Sequence, residues 1–328
     1  MTLTGFVLLY IVATIAIGVI AATRVKNTSD FALAGRSLPL PMVITATFAT
    51  WFGSETILGL PGRFIESGIA GVIEEPFGSG MALILVGTFF AHKLYKQNIL
   101  TLGDYYRDRY GRSVELLCSV AIVISYLGWV GAQVTALGLV INLITEGAVS
   151  MTTGMVIGAA VVLAYTMVGG MWSVAMTDFV QMIVIVVGLV AILWFATDLA
   201  GGMDKVVDYA RGRDLFHAFP EPTTTGWLFW ISAAMTMMIG SIPQQDVFQR
   251  VMSAKNLPTA VAGPILGGSF YILFAFVPMF IVVAAILVMP DAAEKMLSED
   301  PQQLLPTLVR DYMPMWLRVV FFGAVLSA

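Results

Sequence analysis

Long apolar runs alternate with short polar breaks along the chain. A run of about 20 apolar residues is what a helix needs to cross the hydrocarbon core of a bilayer. On that criterion the windows predict spans at Leu3–Ala22, Pro39–Leu60, Ile69–Ala91, Val114–Ile144, Met151–Val168, Val174–Leu199, Trp227–Val251 and Thr259–Met289. A ninth starts near Met313 and is still apolar at Ala328. The first run is followed, not preceded, by its basic residues Arg24 and Lys26. That order predicts a retained helix with its N-terminus outside rather than a cleaved signal peptide.

Composition agrees with this pattern. Of 328 residues 58% are hydrophobic and only 12% charged, about half the charged share of a soluble domain. A soluble core cannot absorb that apolar surface, and disorder and coiled coil fail on the same figures. The net charge of -4 argues against a nucleic-acid partner. Cys118, the single cysteine, cannot close an internal disulfide and reads as a packing residue. Alternation from an outside N-terminus puts ten basic residues in the cytoplasm and six outside, with Arg318 inside the last span. The cytoplasmic ten sit in the shorter loops, where the positive-inside rule applies best. The long polar connections Ala200–Gly226 and Pro290–Tyr312 fall outside. The last run, 16 residues from Met313, is short for a span and has no polar stop, so the expectation is a chain cut within a helix.

Two spans break the rule that a helix in lipid is apolar and continuous. The second holds Gly53, Ser54 and Glu55 near its middle and ends in Gly59-Leu-Pro-Gly62. An unwound turn there would free carbonyls for a small hard cation such as Na+. Glu55 at membrane depth is costly unless it faces water, a partner or a ligand. The seventh is interrupted at Ile239-Gly-Ser-Ile-Pro243, followed by Gln244, Gln245 and Asp246. The bland alternative for each is a tightly packed polar kink. Their spacing, five helices apart, suggests an inverted repeat of five helices each after one leading helix, the pattern that points to a transporter's binding site. On the fourth span Tyr126, Trp129 and Gln133 share a helix face, open to reading as core or as pocket; Trp51 in the broken segment favours pocket. Gly154 and Gly158 form a GxxxG pair that implies close helix packing. The sequence has no phosphate-binding loop, catalytic triad or zinc-protease motif, and His92 and His217 lie in loops away from Cys118. Nothing indicates an enzyme.

The stretch Tyr165-Thr-Met-Val-Gly-Gly-Met-Trp-Ser-Val-Ala-Met-Thr-Asp-Phe-Val-Gln181 resembles the signature of the sodium/solute symporter family. So do Asp30–Ser37, Thr101–Gly111 and Phe248–Lys255. The resemblance implies an all-α polytopic membrane protein with the five-plus-five inverted-repeat symporter fold, one extra leading helix and a second repeat cut short. Residues 1–328 would form one transporter domain: leading helix and loop 1–38, first repeat 39–199, partial second repeat 227–328. It also implies a Na+ site built from the backbone carbonyls of Ala49 and Phe52, with Ala328 as a third carbonyl and hydroxyl ligands beyond the end of the chain.

Within the family the text looks most like the choline-transporter branch, on Ala49-Thr-Trp-Phe-Gly53, Ile239–Pro243, Phe248-Gln-Arg250 and Leu304-Leu-Pro306. That branch cages a quaternary ammonium in aromatic rings, and Trp51 and Trp129 match two of them. Gln244 stands where the branch has a third tryptophan, Ser79 where it has a tyrosine, and Glu55 where it has a glycine. The implied substrate site is therefore Trp51, Glu55, Ser79, Trp129, Gln133 and Gln244. The leading expectation is a sodium-coupled symporter in the cell membrane, importing a small organic solute by alternating access. The candidate solutes are an amine, a choline-like cation or an amino acid. Its partners are sodium, the solute and the lipid bilayer, Na+ being cargo rather than cofactor. The alternatives are a membrane sensory module of the same fold and an inactive fragment. The solute's identity, the sodium stoichiometry and the oligomeric state are left open.

Overall fold

Twenty residues without a charge, Leu3–Ala22, give the first helix, α1, in the computed structural model, which describes residues 3–327. Side-chain caps then start several helices where the sequence supplies Asn, Thr or Ser. Asn27 accepts the Asp30 amide at 2.9 Å and opens α2, Thr28–Leu33. After α3 (Leu40–Trp51), α4 (Leu60–Ser67), α5 (Ser79–Leu85) and α6 (Ala91–Tyr95), a capping box of Thr101 and Asp104 opens α7, Leu102–Tyr110. Gly111, at φ 87°, turns the chain into α8, Arg112–Ile144. Ser150 caps α9, Met151–Leu199. The polar connection that follows contains α10, Met203–Gly212. Thr223 caps α11, Thr224–Gly240, which breaks before α12, Gln245–Met252. Asn256 caps α13, Leu257–Phe274, continued by α14, Phe276–Val288. The second polar connection carries α15 (Pro290–Glu299) and α16 (Leu304–Tyr312) before α17, Met315–Ser327. No strand occurs among the described residues, only a single bridge between Leu38 and Ala254.

The all-helical class expected from sequence is what the structure shows. The spans are less regular than the hydropathy windows imply. Five helices among the described residues are long and apolar enough to cross a membrane, or six if α11 and α12, bent by 45°, count as one. The fifth and sixth predicted spans run as one 49-residue helix interrupted at Gly170, where φ 50° and ψ −142° leave the helical region. The third predicted span is a chain of 3-10, π-helical and α-helical turns through Ile69–Tyr95 rather than one α-helix.

Helices in lipid gain little from burying apolar surface against each other, so close packing through small residues matters. A Cβ on Gly138 of α8 would stand 2.7 Å from the Met151 carbonyl oxygen, and one on Gly158 of α9 would stand 2.9 Å from Leu137 Cβ. The GxxxG pair is thus one half of a tight α8–α9 seam. The main core joins the end of α3 to α13 and α14. Phe48 and Phe52 stack at 4.8 Å, and Phe274 meets Phe52 at 5.3 Å. The exposed apolar residues include Leu116, Ile124 and Leu127 on α8 and Leu228 and Phe229 on α11, as a bilayer-facing surface requires.

Candidate functional site

The centre of the site is a backbone break. α3 ends at Trp51 because Phe52 takes φ −85°, ψ 72°. The Gly53 amide then donates to the Trp51 carbonyl at 3.0 Å instead of to Ala49, the partner an unbroken helix would use. Ala49 loses its helical bond at the point where the Phe52 peptide turns out of the helix. A π-helical turn, Glu55–Gly59, resumes the span, and the Thr56 hydroxyl donates to the Trp51 carbonyl at 2.9 Å. Glycine at 53 keeps this corner narrow: a Cβ there would stand 3.4 Å from the Gln133 amide oxygen. That oxygen accepts the Ser54 hydroxyl at 2.5 Å, tying the break to the middle of α8.

Two cavities meet at this tie. A largely apolar one of about 430 Å³ is lined by Ala49, Gly53, Ser54, Trp129, Gln133 and Leu137 with residues of α9 and α17. A polar one of about 440 Å³ is lined by Ser54, Glu55, Arg63, Glu66, Gln133 and the loop Asp300–Gln302. Arg63 stands 3.8 Å from Glu55 and 4.0 Å from Glu74, each of the three side chains being partly solvated. Pairs that exposed contribute little stability, so what they leave in the cavity is charge of both signs.

The structure brings Ala49, Trp129, Gln133 and Glu55 around these cavities. The other sequence-derived residues lie elsewhere. Trp51 lines neither cavity: its ring packs between two cores, and its Nε1–H is buried without a hydrogen-bond partner among the described residues. The expectation that Trp51 and Trp129 flank one cavity is not met in this conformation, because Trp51 packs into the cores while Trp129 lines the apolar cavity. Phe52 presents its backbone at the break while its ring is fully buried. Ser79 is buried on α5, its hydroxyl donating to the Pro76 carbonyl at 3.4 Å. Gln244 lies at the end of the second break, immediately before α12, and its side chain makes no capping hydrogen bond. Ala328 lies outside the described residues.

Two clusters escaped the sequence reading. Glu75 is buried, accepting a hydrogen bond from Tyr271 and standing 3.3 Å from the Thr56 hydroxyl oxygen. The signal was the pair Glu74-Glu75 within an apolar window. At the other end of the molecule α12 is held by many bonds. Tyr126 donates to Asp246 at 2.6 Å, and the Leu102 amide donates to Gln245 at 2.9 Å. Gln249 donates to the Ala32 carbonyl at 2.8 Å, and Leu38 exchanges amide bonds with Ser253 and Lys255 at 3.0 Å. These bonds hold α12 in place at this end, whereas the polar cavity lies at the end carrying Arg63 and Asp300.

Comparison with known proteins follows the same lines. The chain is 28% identical over 316 residues to a high-affinity choline transporter 1 of Caenorhabditis elegans, covering 92% of this chain and 53% of that protein. It is 27% identical to the human high affinity choline transporter 1, covering 98% of this chain and 57% of that protein. It is 26% identical to a sodium/glucose cotransporter 4 of Danio rerio, covering 98% and 54%. The chain therefore spans about half the length of the relatives it matches. A substrate-bound, outward-open Na+-coupled sialic acid symporter superposes with a TM-score of 0.83 over 99% of this chain and 68% of that one, at 18% identity, which speaks to fold alone. The family model described as the sodium:solute symporter family matches residues 31–328, and the chain belongs to that family.

Proposed function

We propose that the chain forms the sodium- and solute-binding part of a membrane symporter that imports a small cationic or zwitterionic amine. The observation that carries this reading is the break at Phe52–Ser54. It frees the Ala49 carbonyl from its helix and sets it beside a cavity that Trp129 and Gln133 line. Backbone carbonyls at an interrupted membrane helix are the hard oxygen ligands that Na+ prefers. Phe52, and Ala328 from a later helix, complete the carbonyl set in this reading. Na+ is cargo here, bound and released with the solute.

For the solute, Trp129 offers a π face and Glu55 a negative charge to an ammonium group. Arg63 beside Glu55 adds a donor for a carboxylate, so an amino acid would meet both signs in the polar cavity. The relatives named as choline transporters agree with an amine. In this reading Trp51, Ser79 and Gln244 join the site when it closes, by rotation of the segments that carry them. In this reading the end with the polar cavity faces outside and the end stapled by α12 faces the cytoplasm, which the excess of basic residues on the α12 side supports. We assign 39–199 to a first repeat and 227–328 to part of a second, in the plasma membrane with the N-terminus outside.

Binding of labelled choline to the purified protein in lipid nanodiscs tests this. Retention should need Na+ rather than K+, and amines and amino acids should compete better than acetate or galactose. Displacement by acetate or galactose with no effect of any amine would refute the solute class.

A further inference from the structure

Glu75 has a setting that transport of an amine through the cavities does not use. It is 5% exposed, and its neighbours Thr56 and Tyr271 are fully buried. Tyr271 donates to Glu75 Oε1, Thr56 Oγ1 stands 3.3 Å from the same oxygen, and the two hydroxyls are 3.0 Å apart. Thr56 also reaches the Trp51 carbonyl, the last of α3. An ionised carboxylate removed from water needs a cation at hand, and no basic group lies in ion-pair range of Glu75 among the described residues. Arg63, the one cation facing it, stands against Glu55 and Glu74. From the π-helical turn Glu55 adds a second negative charge, as Glu74 does from its own segment. α5 offers only the Ser79 hydroxyl and α13 only Tyr271, while α11 and α14 carry no ionisable side chain. The oxygens around Thr56 stand at hydrogen-bonding separations, closed around hydrogens rather than spread around a metal ion.

We propose that Glu75 is a buried proton-binding site, loaded from the polar cavity past Glu55 and Thr56. The proton goes onto the carboxylate and leaves by the same route, with no other bond made or broken. Because Thr56 joins the carboxyl to the Trp51 carbonyl, protonation state and the shape of the helix break are linked. The occupancy of Glu75 does not depend on the symport reading, whereas its use in transport does.

Infrared difference spectroscopy of the full chain in lipid, titrated between about pH 5 and pH 9, reads the carboxyl directly and needs no substrate. We expect a protonated-carboxyl band in that range, with a component lost in Glu75→Gln and shifted in frequency in Tyr271→Phe, which removes one hydrogen bond without removing the acid. An Asp178→Asn background removes the other desolvated carboxyl from the signal. Absence of the band throughout, or its persistence in Glu75→Gln, overturns the proposal. A band that appears only when a large organic cation replaces sodium also overturns it, since sodium would then be the occupant. If Glu75→Gln does not fold, an unshifted band in Tyr271→Phe refutes the site equally.

Discussion

Glu55 and Trp129 are the residues on which the solute reading turns. Glu55 is partly solvated and 3.8 Å from Arg63, so replacing it removes a charge from an open cavity without leaving a buried orphan. Glu55→Gln should raise the apparent KM for an amine roughly fivefold, in keeping with an exposed charge pair of at most about 1 kcal/mol, with expression retained. An unchanged KM would return Glu55 to a structural role. A cation over an indole ring gains about 0.5–2 kcal/mol, roughly two- to thirtyfold in affinity. Trp129→Ala should therefore weaken amine binding by more than Trp129→Phe, which keeps a π face. Equal loss in both, with lowered expression, would make Trp129 a packing residue. Glu55, Trp129 and Gln133 could be picked from sequence because polar and aromatic groups within apolar windows are conspicuous. Glu75 is as conspicuous, but the apolar window around it predicts one plain helix. Its partner Tyr271 is 196 positions away, a pairing that only the packing of α13 reveals.

At the scale of elements, the breaks were legible and the continuity was not. Gly53-Ser54 and Gly240–Pro243 marked the interruptions where the structure has them, since Gly and Pro weaken helices locally. The polar connections give no sequence sign of their helices, because α10, α15 and α16 are short and amphipathic, with no long apolar run to announce them. Gly170 separates the halves of α9 at φ 50°, with the Phe31 ring against it. Gly170→Ala should lower the melting temperature clearly, a left-handed non-glycine conformation costing about 1–3 kcal/mol. Gly240→Ala, with nothing within 4 Å of an added Cβ, should leave it unchanged. Equal melting temperatures for the two variants would deny that Gly170 is strained. The Tyr126–Asp246 bond at 2.6 Å holds α12 to α8. A hydrogen bond to a charged group is worth about 1.5–3 kcal/mol, so Tyr126→Phe should speed amide exchange in α12 by roughly tenfold or more. Unaltered exchange would show that α12 is held by its other bonds alone.

For the molecule as a whole, membrane class and family could be read from hydropathy and from the stretch Tyr165–Gln181. What the pattern could not convey is which polar residues share a cavity, because that depends on how the two broken segments turn. The polar cavity with Glu55, Arg63 and Glu66 lies at one end and the bonds that hold α12 lie at the other, an asymmetry that the proposed alternating-access reading uses. The most direct test is uptake of labelled choline, or of whichever amine binds best, into proteoliposomes containing the complete protein. Uptake should require an inward Na+ gradient, collapse with a sodium ionophore and fail when K+ replaces Na+. Equal uptake in sodium-free medium, independent of any proton gradient, would contradict coupled symport.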